Sequence, residues 1–116
     1  MSEKKFKIPG EQIKRLIPSM GGCMASDKIL VDGELVGYMY RERPKKDHDS
    51  GWCFFSGAED QAYTEAPKHF AIYDVNTVAN YDPAIIPYLE SEFGRAYERV
   101  PGTPKFQEVS FAPPED

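Results

Sequence analysis

Apolar positions along the chain fall into short groups separated by Pro, Gly and charged residues, which predicts a small domain of brief elements. Phe6-Lys7-Ile8 reads as a short extended lead-in, interrupted by Pro9-Gly10. Ile13, Leu16 and Ile17 then stand at i, i+3 and i+4 with Glu11, Lys14 and Arg15 off that face, so a short amphipathic helix is expected, stopped by Pro18. Met20-Gly21-Gly22 reads as a flexible joint. The clearest β signal runs from Cys23 to Tyr40, where Ile29-Leu30-Val31, the turn pair Asp32-Gly33 and Leu35 to Tyr40 predict a hairpin. Glu34 leaves open a two-residue turn or a longer bulged loop. Residues 41–51, alternating in charge sign, are expected in a solvated loop. Trp52-Cys53-Phe54-Phe55 predicts a third strand paired with the second, with Trp52 and Phe54 on one face and Cys53 and Phe55 on the other.

Ser56 to Asp60 opens a short helical stretch whose acidic first turn suits the positive end of a helix dipole, and Pro67 closes it. Phe70 to Tyr73 predicts a fourth strand, and Asp74 is a natural N-cap for the turn that follows. Asp82-Pro83 repeats that device, with Asp82 capping and Pro83 at the first helical position. Pro87 lacks the N–H that an intrahelical bond would use, so the helix is expected to restart there and run past Leu89 and Phe93 to Gly94. Residues 96–100 and 105–109 predict two further strands around Pro101-Gly102-Thr103-Pro104, ahead of a Pro-rich acidic tail. The sum is an α+β single domain, a mainly antiparallel sheet covered by two or three short helices.

Composition narrows the function. With 116 residues the chain buries roughly two-thirds of its unfolded surface, enough for one core without staples. Residues 1–55 carry ten Lys or Arg and eight Asp or Glu, net +2, whereas residues 56–116 carry four and eleven, net −7. Such a field repels nucleic-acid phosphates and steers basic proteins, so a basic protein partner is expected and nucleic acid is not. No apolar run reaches membrane-span length, and the opening residues lead into no signal-type stretch, so a cytoplasmic protein without membrane partners is expected. Cys23 and Cys53 belong to no CxxC, and Cys23, Cys53, His48 and His69 lack ligand spacing, so free thiols and no metal site are expected. Neither a nucleophile elbow nor a phosphate-binding glycine loop is present, capping accounts for Asp74 and Asp82, and no catalytic residue or cofactor is assigned.

Fifteen aromatics, several beside charged loops, are the more informative feature, because Tyr and Trp anchor interfaces at small torsional cost. The residues expected to face a partner are Tyr38, Tyr40, Asp49, Ser50, Trp52, Glu59, Asp74, Asn76, Tyr81 and Asp82. An alternative is a small-molecule or regulatory domain, or a small enzyme, with a polar cleft around Asp49, Ser50, Trp52, Asp74 and Asn76.

Three stretches carry a resemblance: Gly37-Tyr38-Met39-Tyr40-Arg41-Glu42; Asp49-Ser50-Gly51-Trp52 with Phe54-Phe55-Ser56-Gly57 and Glu59; and Ile72-Tyr73-Asp74-Val75-Asn76-Thr77 with Tyr81-Asp82-Pro83, Ile86 and Leu89. In this order they resemble the bacterial immunity-protein-33-like family over about residues 20–100. Residues 1–20 then form an N-terminal extension with the short helix, and residues 101–116 a C-terminal strand and tail. The resemblance implies a small bacterial α+β protein that neutralises a toxin; the acidic second half and the Tyr and Trp supply fit occlusion of a basic toxin site, a role that needs no chemistry.

Overall fold

The computed structural model describes residues 6–8, 10–44 and 48–110. Six strands, β1 (Gly22–Ser26), β2 (Tyr38–Arg41), β3 (Asp49–Phe55), β4 (Phe70–Asp74), β5 (Arg95–Arg99) and β6 (Phe106–Val109), form one sheet in the order β4-β1-β3-β2-β5-β6. Only β1 and β3 run parallel, so the fold is α+β with a mainly antiparallel sheet. Helices α1 (Asp27–Leu30) and α3 (Val75–Tyr81) and a 3-10 helix (Pro83–Tyr88) bring apolar side chains to one face, where Trp52, Phe54, Met39, Ile29, Leu30, Ile85, Val75 and Val78 make the core. Each such side chain contributes about 1.5–3 kcal/mol by leaving water. A third helix, α2 (Gln61–Thr64), sits past the end of β3.

Much of the local reading holds. β2 pairs with β3 antiparallel, Trp52 and Phe54 enter the core, and Cys53 joins Tyr40 and Ala96 on the opposite face. Asp74 caps α3 through the Asn76 N–H at 2.8 Å, and Asp82 caps the Pro83 helix through the Ala84 N–H at 3.1 Å. Strands β4, β5 and β6 lie where expected, whereas residues 111–116, with the expected tail, lie outside the described residues.

Four expectations are corrected. The amphipathic helix over Ile13, Leu16 and Ile17 does not form. The chain makes one 3-10 turn, Gly10–Gln12, and then runs irregularly, with Leu16 44% exposed. The backbone groups that an intrahelical ladder would use find partners across the fold instead. Asn76 Oδ1 accepts from the N–H groups of Leu16 (2.7 Å) and Ile17 (3.3 Å), its Nδ2 donates to the Lys14 carbonyl at 2.8 Å, and Asn80 Oδ1 accepts from the Lys14 N–H at 2.9 Å. The N-terminal segment is therefore a strap tied to α3. Asn76→Ala is expected to leave the Leu16 and Ile17 N–H groups without an acceptor, at a cost of about 1–3 kcal/mol, while Lys14 keeps its bonds to Asn80. Amide exchange at Leu16 and Ile17 then accelerates before exchange in β3, as hydrogen-exchange measurements check.

The hairpin at Asp32-Gly33 is replaced by strand, helix and turn. Residues 22–26, read as the end of the joint and the start of the β segment, form an inner strand of their own, and the Ser26 hydroxyl caps α1 through the Lys28 N–H at 3.1 Å. Ile29 and Leu30 thus pack on the sheet from a helix, and Gly33, at φ 80°, ends that turn with its N–H on the Ile29 carbonyl. The solvated loop also contracts, since Asp49, Ser50 and Gly51 belong to β3; residues 45–47 lie outside the described residues. Finally, the Pro83 helix does not restart at Pro87. It continues through Tyr88 as one 3-10 helix, with the Ile85 N–H on the Asp82 carbonyl before Pro87 and the Leu89 N–H on the Ile86 carbonyl after it, both at 3.2 Å.

Candidate functional site

Alternation along the strands leaves the face opposite the core to Phe70 and Ile72 of β4, Met24 of β1, Cys53 and Phe55 of β3, Tyr38 and Tyr40 of β2, Ala96 and Glu98 of β5, and Gln107 and Val109 of β6. Tyr63 of α2 meets Phe70 edge-on at 5.9 Å and so borders this face at its β4 side. Tyr38, Tyr40 and Phe55 pack with ring centroids 5.9–6.0 Å apart. Beside them Ile72 is 70% and Met24 41% exposed, an apolar pair that gains nothing from water.

A bulge shapes the middle of the face. Gly22 stands opposite Asp49 and Met24 opposite Cys53, so two steps on β1 span four on β3. Gly51 takes up the excess at φ 87°, and a Cβ there would lie 2.0 Å from the Glu42 carbonyl oxygen, so only glycine fits. Ser50 folds inward, donating from its hydroxyl to the Gly22 carbonyl at 2.6 Å and accepting from the Trp52 N–H at 3.2 Å. Between Met24, Cys53, Ile72, Glu42 and Asp49 lies a hollow of about 400 Å³, bordered also by Arg43 and His48.

Charge is divided by the sheet. Among the described residues the outward strand positions carry no Lys or Arg, whereas Asp49 and Glu98 are exposed and Glu42 follows β2 at the hollow. The arginines of β2 and β5 alternate inward. Arg41 donates to the carbonyls of Ser50, Leu89 and Ser91, and Arg99 pairs with Asp82 while donating to the Val36 and Thr103 carbonyls at 2.8 Å each. Arg95 pairs with Glu92 and Glu108. Arg41, Arg95 and Arg99 are thus engaged by groups of the fold, whereas Asp49, Glu42 and Glu98 stand on or beside the open face.

The expected partner-facing residues separate into two groups. Tyr38, Tyr40 and Asp49 lie on or beside the open face. Glu59 borders the aromatic cluster but folds back, accepting from the Ser56 N–H and hydroxyl and the Gly57 N–H; burial works against its ionisation, yet bonds from Ser26 and Ser56 hold its carboxyl below the usual range. Ser50, Trp52, Asn76 and Asp82 are buried with structural partners, Asp74 caps α3, and Tyr81 accepts the Ile8 N–H at 2.9 Å. The polar cleft around Asp49, Ser50, Trp52, Asp74 and Asn76 is not assembled. Asp49 and Trp52 border the hollow, but Asp74 and Asn76 serve α3 and the strap. Ile72, Met24, Glu42 and Glu98 were missed. The alternation of Phe70-Ala71-Ile72-Tyr73 offered a signal for Ile72 once β4 was placed at an edge.

The thiols are poorly suited to nucleophilic chemistry. Cys23 and Cys53 are free and buried on opposite faces of the sheet, which also separates them as ligands. Burial first, with nearby carboxylates adding, pushes Cys23 well up and Cys53 up to about 11, so both stay protonated at neutral pH. No group of three or more His, Cys, Asp or Glu side chains among the described residues is placed to hold a metal ion.

No curated protein and no solved structure matches the chain. A family model described as Immunity protein Imm33 domain matches residues 23–110, from the start of the central strand through β6 and thus past residue 100, where the sequence resemblance ended. With most of the chain and all six strands inside or bordering that match, the protein belongs to the Immunity protein Imm33 domain family.

Proposed function

We propose that this protein neutralises a toxin by stoichiometric docking, with the open sheet face lying against a basic surface of that toxin, and that it turns over no substrate. Family membership supports the immunity role. The observation that carries the docking mode is the exposed Ile72–Met24 pair on an otherwise acidic and aromatic face from which Lys and Arg are missing among the outward strand positions. Apolar anchors supply affinity, and the carboxylates steer a basic partner and fix its orientation. No helix among the described residues is long and apolar enough to cross a membrane, and the two thiols are free, which supports action in the cytoplasm. A small-molecule role is the second reading, favoured by the hollow beside Asp49.

The test uses the product of the neighbouring reading frame as the candidate toxin. Wild-type protein is expected to bind it and restore growth when the two are co-expressed. Ile72→Arg is expected to bind about 100-fold more weakly by calorimetry while keeping its melting temperature, because the side chain replaced is mostly in water. No complex at micromolar concentration, or saturable turnover of a small molecule by the purified protein, counts against the docking reading.

A further inference from the structure

We infer that the hollow beside Asp49 is the anchor point of the open face and receives one long cationic side chain, Lys or Arg, from the protein partner; this rests on the docking reading above. Met24, Ile72 and Cys53 give the hollow an apolar floor, suited to the methylene stem of such a side chain. Glu42 and Asp49 stand at its border. Asp49 Oδ1 accepts the Gly51 N–H at 2.9 Å, and Glu42 Oε2 faces the Cys53 thiol at 3.9 Å. No Lys or Arg among the described residues forms an ion pair with either carboxylate.

The occupant follows from what each class of guest does to those two charges. An anionic group is repelled by both. A neutral apolar group covers them without supplying a partner, at the cost of stripping their water. A guanidinium or ammonium group satisfies them while its stem covers Met24 and Ile72. Arg43, which also borders the hollow, has its guanidinium 5.7 Å from the centre of the Phe93 ring, towards the neighbouring depression lined by Arg41, Ser91 and Glu92. The bulge adds preorganisation, since the tight approach of Gly51 to the Glu42 carbonyl joins the backbone segments that carry the two carboxylates before any partner arrives. The potential at the floor has the same sign, because Glu42 and Asp49 add to burial in keeping the Cys53 thiol protonated.

Two measurements decide it. In the first, n-butylguanidinium, a guanidinium on a four-carbon stem, is titrated into the isotope-labelled protein, with glutarate as the anionic control. Saturable shifts are expected at the amides of Met24, Gly51, Cys53 and Ile72, with Kd on the order of 1–10 mM. They weaken about fivefold or more in the Glu42→Gln/Asp49→Asn double variant, whose amides keep the shape of the carboxylates. Absence of these shifts, or shifts unchanged in the double variant, overturns the assignment. In the second, the double variant is expected to bind the toxin about tenfold or more weakly, and Glu98→Gln, on the same face but outside the hollow, less than about threefold. If the wild type binds the toxin and the double variant binds equally well, the anchor is overturned and the docking reading stands. A wild type that binds no toxin overturns the docking reading, and the anchor with it.

Discussion

Asp82→Ala is expected to destabilise the protein by about 3–5 kcal/mol and lower its melting temperature by more than about 10 °C. Asp82 joins three parts of the chain. One oxygen accepts the Val36 N–H at 2.9 Å and pairs with Arg99, and the other accepts the Ala84 N–H at the start of the Pro83 helix. Arg99 in turn donates to Val36 and Thr103 and lies 4.7 Å from the centre of the Phe106 ring. Removing the carboxylate leaves a mostly buried guanidinium without its counter-charge and two N–H groups without acceptors. The diagnostic comparison is with Asp82→Ala/Arg99→Met, which removes both charges and is expected to recover part of the loss. A single variant melting within about 3 °C of wild type would show that the pair carries little of the fold.

Trp52→Ala is expected to cost about 3–5 kcal/mol, and Trp52→Phe about 1–2 kcal/mol, in urea unfolding. Trp52 is 1% exposed, stacks on Phe54 at 5.7 Å and meets Tyr97 at 6.5 Å; its Nε1 donates to the Leu89 carbonyl at 3.1 Å. The alanine variant opens a cavity at the centre of the sheet. Phenylalanine keeps most of the ring volume and loses the hydrogen bond, while the Leu89 carbonyl retains Arg41 as a donor at 3.3 Å. Because Trp52 acts inside the fold, Trp52→Phe is expected to leave toxin affinity within about threefold at temperatures where it is folded, whereas Ile72→Arg shows the reverse pattern. Equal losses of stability from the two Trp52 variants would contradict the packing described.

The contrast between Trp52 and Ile72 shows how far local reading reached. The Trp52/Phe54 and Cys53/Phe55 division was legible because side chains in a strand alternate whatever the partner strand. The caps at Asp74 and Asp82 were legible because a carboxylate two residues before the first free N–H groups acts within one turn. The hairpin at Asp32-Gly33 failed because Ile29-Leu30 is short, and short apolar runs suit a helix or a strand equally. Ser26-Asp27, a cap and an acidic first residue, was the signal that distinguished them. The strap failed for a different reason: its partners, Asn76 and Asn80, are about sixty residues away.

By itself, then, the sequence determined what acts within a few residues: the α+β class, five of the six strands, the two aspartate caps, the free thiols, and the surplus of negative charge in the second half. Tertiary structure alone decided which of those side chains meets water. Insertion of β1 between β3 and β4 put Met24 and Ile72 side by side on an uncovered face, and the Gly51 bulge placed Asp49 near Glu42. Long-range pairing of this kind depends on which strands bury the most apolar surface together with every hydrogen bond satisfied, a sum over the whole chain that no local window contains.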